Sequence, residues 1–230
     1  MNELTQYIKE GLLSAGAYMV GIGDLSELPP DVRQGLPIGV SVVVKYPKKV
    51  ISGISELPTQ EYFDWYNRLN DELDGLVATG AELLAGRGYK AVPMTRAFVG
   101  DWQKTLKTTL PHKTVATRAG LGWIGKNALL VTEAYGSMIR LSSILTDAPL
   151  EPGLPVDASG CGDCTACVDA CPVAAIYGRH WEAGLPREEL LDFVRCRDEA
   201  RERSMRGFGG EATICGRCIE ACPYARRAEG

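Results

Sequence analysis

The chain has 230 residues, 45% of them apolar, and a formal net charge of −4. That length supports one large domain or two modest ones. The acidic balance argues against broad binding to a phosphate backbone, and no apolar run reaches the roughly 18 residues that a membrane helix needs. The start, Met1-Asn2-Glu3-Leu4, has no basic n-region, so the chain is expected in the cytoplasm with no membrane partner.

Residues 3–16 read as an amphipathic helix, with Leu4, Ile8, Leu12 and Leu13 on one face. Ala17 to Ile22 and the β-branched run Gly39 to Val44 read as strands. Thr59 is placed to cap a long helix running to about Leu84, ended by Gly86 and Gly88. Tyr89 to Met94 reads as a strand and His112 to Ala119 as a helix. Ala128 to Thr132 and Met138 to Leu145 read as a pair of strands joined near Gly136. Pro149, Pro152, Gly153 and Pro155 then form a linker-like stretch. The expected organisation is an α/β (α+β) domain over residues 1–152 and a ferredoxin-like domain over 153–230. The charged segment from Trp181 to Gly210 reads as a partly helical insertion. Its run Arg195, Arg197, Arg201, Arg203 and Arg206, interleaved with Asp198, Glu199 and Glu202, reads as a salt-bridged helix.

All eight cysteines lie in that last domain. Cys161, Cys164, Cys167 and Cys171 form C-x2-C-x2-C-x3-C before Pro172, and Cys215, Cys218 and Cys222 form C-x2-C-x3-C before Pro223. The first run is the spacing with which bacterial ferredoxins hold cubane clusters, the fourth cysteine crossing to the other cluster. The expected sets are Cys161, Cys164, Cys167 and Cys222 for one [4Fe-4S] cluster, and Cys171, Cys196, Cys215 and Cys218 for the other. Cys196 stands in for the missing third member of the second motif, so a long connection must bring it in. A disulfide scaffold fits poorly with cysteines confined to one tail and no signal peptide. Zinc usually takes paired C-x2-C motifs and explains neither the triple run nor the two Cys-Pro steps.

Gly120-Leu121-Gly122-Trp123-Ile124-Gly125 matches G-x-G-x-x-G, but a helix precedes it and a strand follows, the reverse of a dinucleotide site. The plain reading is a helix C-cap and tight turn; the sharper one is backbone laid flat against a planar ligand. The segment Thr117 to Asn127, with Arg118, Lys126 and Asn127 at its ends, resembles the R-A-G-L-G-W-I-G-K segment of the epoxyqueuosine reductase family. Leu145-Thr146-Asp147-Ala148-Pro149-Leu150 resembles that family's L-T-D-x-P-L, and both cysteine motifs follow in the same order. That family is similar to reductive dehalogenases. The resemblance implies a base-off cobalamin beside two [4Fe-4S] clusters. It also implies that Gly120, Leu121, Gly122, Trp123, Gly125, Lys126 and Asn127 line the corrinoid pocket.

The family's D-Y-H segment, whose Asp is taken as proton donor, falls on Trp65-Tyr66-Asn67. Asp64 lies one position earlier, about 100° around the helix. Tyr66 aligns with the family's Tyr and is the leading donor candidate, although a core role is its simplest reading. His112 is favoured as a polar helix-start residue over a cobalt or corrinoid contact. Lys104, Lys107, Lys113 and Arg118 make a basic stretch suited to a solvated face, to a corrinoid phosphate or to an acidic partner. His180 reads as a surface residue. Trp65, the eight residues after Cys222 and the acidic balance together make tRNA an unlikely partner. The main expectation is a cobalamin-dependent reductase fed by reduced ferredoxin or flavodoxin and acting on a small-molecule substrate or a corrinoid protein. The alternatives are a non-enzymatic electron-transfer or corrinoid-handling protein and a genuine epoxyqueuosine reductase of tRNA.

Overall fold

The computed structural model describes residues 1–99 and 107–228. Lys104 of the basic stretch lies outside them. In chain order the first elements are α1 (Glu3–Ser14), β1 (Met19–Asp24), β2 (Ile38–Lys45), α2 (Lys48–Ser52), α3 (Gln60–Ala85), β3 (Ala91–Pro93) and α4 (Arg96–Val99). There follow α5 (His112–Arg118), β4 (Trp123–Ile124), β5 (Leu130–Val131) and β6 (Ile139–Thr146). The cysteine-bearing part adds α6 (Ala166–Asp169), α7 (Phe193–Phe208), α8 (Arg217–Glu220) and α9 (Pro223–Arg227).

The contacts divide the chain into two compact units, each assembled from separated segments. The first comprises Met1–Val44, Leu69–Leu121 and Arg140–Val156. Its frame is a four-stranded sheet in the order β1-β2-β6-β3. β1 runs antiparallel to β2, with Val20 opposite Val42, and β3 antiparallel to β6, with Val92 opposite Leu145. The buried run Val40, Val42, Val43 and Val44 reflects a strand covered on both faces. Ile8 and Leu12 of α1 are fully buried, Leu4 is half-buried and Leu13, expected on the same face, is exposed; Asn2 caps that helix by accepting from the Thr5 N–H at 2.8 Å. A core cluster of Leu25, Leu36, Met94, Leu110, Val115 and Leu145 fixes α5 in this unit.

The second unit comprises Lys45–Arg68, Gly122–Ile139 and Asp157–Gly230. The division therefore differs from a sequential boundary near residue 152. The physical reason is apolar supply. The cysteine tail is rich in loops, and its core draws on Tyr46, Ile54, Tyr62 and Trp123 from earlier in the chain, all buried. Phe63 stacks on Phe208 with ring centroids 5.0 Å apart, and Ser204 Oγ donates to the Ile214 carbonyl at 2.9 Å.

Most elements fall where the sequence places them. Thr59 caps α3 through its hydroxyl, which accepts from the Tyr62 N–H at 3.2 Å. α7 carries the expected ion pairs, Arg203 with Glu199 and Arg206 with Glu202, each at 3.9 Å. One pairing is corrected. The strands near 130 and 140 do not pair with each other: β5 pairs with β4, Trp123 opposite Val131, while β6 joins the large sheet. A tight bridge between Thr132 and Gly136 lies between them.

Candidate iron–sulfur site

The loop after α5 begins as a helix terminator. The Gly120 N–H bonds the Thr117 carbonyl and the Leu121 N–H bonds the Ala116 carbonyl, both at 3.1 Å. These are the two bonds of a Schellman cap, and Gly120 adopts the left-handed φ of +74° that the motif requires. Gly122 has a different role. A Cβ there would run into the carbonyl oxygen of Val131, because β4 and β5 approach backbone to backbone. Gly125 likewise faces Val131 and the Asn127 side-chain oxygen. The plain reading of a cap and tight turn thus accounts for these glycines within the chain itself.

Beyond Gly122 the loop turns to the cysteines. Trp123 is buried, and its indole Nε1–H donates to Cys161 Sγ at 3.4 Å. The same ring meets Tyr224 edge-on at 5.1 Å. Lys126, 4% exposed, donates to the carbonyls of Gly162 at 2.9 Å and Cys164 at 3.0 Å. A small apolar cavity is lined by Cys161, Cys164, Cys167 and Cys222 together with Lys126 and Tyr224. This quartet is the first ligand set expected from the spacing.

The second quartet assembles through the insertion. Ile176 bridges Leu191, and the Asp192 N–H reaches the Ala175 carbonyl at 2.9 Å, so the returning chain lies beside the segment that follows Cys171. Asp192 then caps α7, accepting from the Arg195 N–H at 2.9 Å. Cys196 is thereby set on the first turn of α7, where Cys171 and Cys215 are its neighbouring thiols. Cys218 has Cys196, Cys215 and Cys171 around it, with Cys167 of the first quartet also near.

Burial, and then the crowding of like charges, pushes the Cys167 and Cys196 thiols up to about 11. Burial raises Cys218 well above the ordinary thiol range and raises Cys222, whose sulfur is partly relieved by bonds from the backbone of Ala225 and Tyr224. Thiols so disposed need cationic iron to become thiolates, and they fit a cluster. Among the described residues no three His, Cys, Asp or Glu groups converge closely enough to hold a single metal ion. The first quartet's cysteines line a common cavity, an arrangement suited to a polynuclear cluster.

Other expected site residues lie elsewhere. His112 starts α5, with Nδ1 3.1 Å from Ser143 Oγ. Burial, with Arg140 nearby, pushes its pKa down to about 4. Arg118 donates to the Val156 carbonyl at 3.2 Å. Asp64 is exposed and accepts from Gln60 Nε2 at 2.7 Å. Tyr66 is half-buried, and Trp65 lies under the Arg68 guanidinium at 4.6 Å. His180 is exposed. The residues that sequence reasoning passed over are Tyr224 on the cavity wall and Asp192, whose capping role follows from an Asp three residues before Arg195.

The fold and the two thiol quartets define an iron–sulfur protein on an α/β frame, and residues 160–225 match the family described as 4Fe-4S double cluster binding domain. Epoxyqueuosine reductase of Pseudomonas aeruginosa is 46% identical over 231 residues, 98% of this chain and 61% of the relative. That of Lactococcus garvieae is 36% identical over 167 residues, 70% of this chain and 42% of the relative. Along nearly its whole length the chain is similar to epoxyqueuosine reductases. It spans less than two thirds of the length of these relatives. Among solved structures, the catabolic reductive dehalogenase NpRdhA superposes with a TM-score of 0.74 at 21% identity, over 96% of this chain and 31% of that one. Epoxyqueuosine reductase from Streptococcus thermophilus gives 0.64 at 22% identity, over 98% and 67%. At such identities these likenesses show the fold, which is the α/β and dicluster arrangement expected. The expectation against tRNA finds no support in the relatives' names.

Proposed function

We propose that this chain provides the cluster-bearing, corrinoid-binding part of an epoxyqueuosine reductase, an oxidoreductase acting on epoxyqueuosine in tRNA. The supporting observation is 46% identity along 98% of the chain to a relative of that name, combined with thiols gathered into two quartets. This places the reading on the second alternative drawn from the sequence. The protein works in the cytoplasm and takes its electrons from a reduced ferredoxin or flavodoxin.

The two quartets hold [4Fe-4S] clusters that supply electrons one at a time, and a bound corrinoid supplies the reducing metal centre. The chain's own groups do the rest. Trp123 and Lys126 hold the first quartet's surroundings in place. Of the corrinoid-lining candidates, Gly120, Leu121, Arg118 and His112 keep accessible surface, whereas Gly122 to Asn127 are buried. Tyr66 is the candidate that holds and delivers the proton needed when a C–O bond breaks, with Asp64 second.

A substrate other than tRNA is the second reading. Its specific support is Trp65 at the position aligned with the family's acid, with exposed Asp64 engaged by Gln60. The deciding experiment incubates the anaerobically reconstituted protein with epoxyqueuosine-containing tRNA and a low-potential reductant, then analyses the digested nucleosides by mass spectrometry. Multiple-turnover formation of queuosine is expected, with loss of rate in Tyr66→Phe. Absence of turnover by protein whose clusters are intact and reducible would move the conclusion to the second reading.

A further inference from the structure

Lys126 is a cation inside the protein, and its two bonds end on the neutral carbonyls of Gly162 and Cys164, which leave its charge uncancelled. Burying a lone ammonium costs several kcal/mol unless a negative group faces it. The cavity it lines supplies that group only when Cys161, Cys164, Cys167 and Cys222 are thiolates. Trp123 adds a second donor on the same side, its N–H directed at Cys161 Sγ. Cys222 receives further bonds from the backbone of Tyr224 and Ala225. Asp163, beside this quartet, is exposed, so water screens it.

The second quartet is surrounded differently. The carboxylates of Asp192 and Glu199 both act on Cys196. Of the cations that flank its cysteines in sequence, Arg197 pairs with Asp198 at 2.7 Å and Arg217 with Glu220 at 2.8 Å, while Arg195, beside Cys196, is exposed and screened by water. The Ala175 N–H, 3.3 Å from Cys171 Sγ, is a neutral donor to this quartet.

We infer that Lys126 and Trp123 set the two clusters apart in potential, so that the one held by Cys161, Cys164, Cys167 and Cys222 is the easier to reduce. The inference rests on the proposal that both quartets carry [4Fe-4S] clusters. Reduction adds one electron and one negative charge to the site. A fixed cation and hydrogen bonds to the ligand sulfurs favour that added charge, while nearby carboxylates oppose it. An electron shared by the pair therefore leaves the second quartet's cluster, which is oxidised, and rests on the first quartet's, which is reduced. Lys126 and Trp123 are positioning residues in this scheme, acting through the cluster and not on substrate.

The test is a redox titration of the anaerobically reconstituted protein, following the EPR signal of each reduced cluster and counting iron and sulfide in every variant. Two midpoints are expected. Cys196→Ser should remove the lower one and so assign the clusters. Lys126→Met should lower the upper midpoint by at least a tenfold change in the reduction constant, ~59 mV for one electron, and leave the lower one in place. Lys126→Arg should retain the parent value. Trp123→Phe should lower the same midpoint by a smaller amount. Movement of the lower midpoint instead, equal movement of both, or movement of neither overturns the inference. Should Lys126→Met lose its iron, Trp123→Phe decides the matter by the same criterion. A parent holding fewer than two clusters fails at the iron count, before any midpoint is read, and refutes the two-cluster proposal together with the inference.

Discussion

At the scale of single residues, His112 and Gly122 show how position overrides type. His112 reads as a polar helix start, yet its pKa is pushed down to about 4 by burial, with Arg140 lowering it further and Asp74 opposing. The unfolded chain takes the proton near 6.5, its ordinary value. The stability contributed by the neutral ring is therefore complete above about pH 6.5 and is lost as the pH falls toward 4. Between pH 7.5 and 5.5 the loss amounts to about 1.3 kcal/mol. Urea titrations at the two pH values should show it in the parent, and His112→Gln should flatten most of it. Gly122 carries the opposite lesson. Its side-chain space is filled by the Val131 carbonyl, backbone that cannot rotate away. Gly122→Ala should cost about 1–3 kcal/mol, as overpacking does, and lower the thermal midpoint. An unchanged midpoint would mean that β4 and β5 can part without penalty.

At the scale of elements, the decisive one is α7. Cys196 stands 25 residues beyond Cys171, and no spacing rule places it. A bridge at Leu191, a cap at Asp192 and one helical turn bring it to its quartet. About eight iron atoms per chain are expected from two cubanes, and Cys196→Ser should reduce the count to about four while sparing the first quartet's cluster. Retention of eight would remove Cys196 from the ligand set. Asp192→Ala should weaken the cap by about 1 kcal/mol and make the second cluster the more labile to chelators, measured as the rate of bleaching. The legible part of this element was its helicity and its ion pairs. Its direction of approach was not legible, because it depends on two backbone bonds between segments that carry no distinctive side chains.

At the scale of the whole molecule, the two units differ in what holds them. The first has a continuous sheet and a buried aliphatic cluster. Apart from α7, the second has short helices, a two-residue strand pair and isolated bridges around eight thiols, several of which burial drives above the ordinary thiol range. Metal binding should therefore supply much of its folding energy. Hydrogen exchange on protein stripped of iron should show rapid labelling of residues 157–228 and continued protection of β2 and β6. Protection of both units without iron would show that the second folds on packing alone.

The sequence by itself determined the number and spacing of the cysteines, the long capped helix and the strands of the large sheet. Each of these follows from local spacing or periodicity, which the chain carries in order. Tertiary structure decided what depended on distant partners. It showed that Gly122 serves the Val131 backbone, that β5 pairs with β4 and not with β6, and that Lys126 and Trp123 turn to the first quartet. It also divided the chain into units that sequence order does not mark, because a tail poor in core residues must borrow Tyr46, Ile54, Tyr62 and Trp123 to bury anything at all.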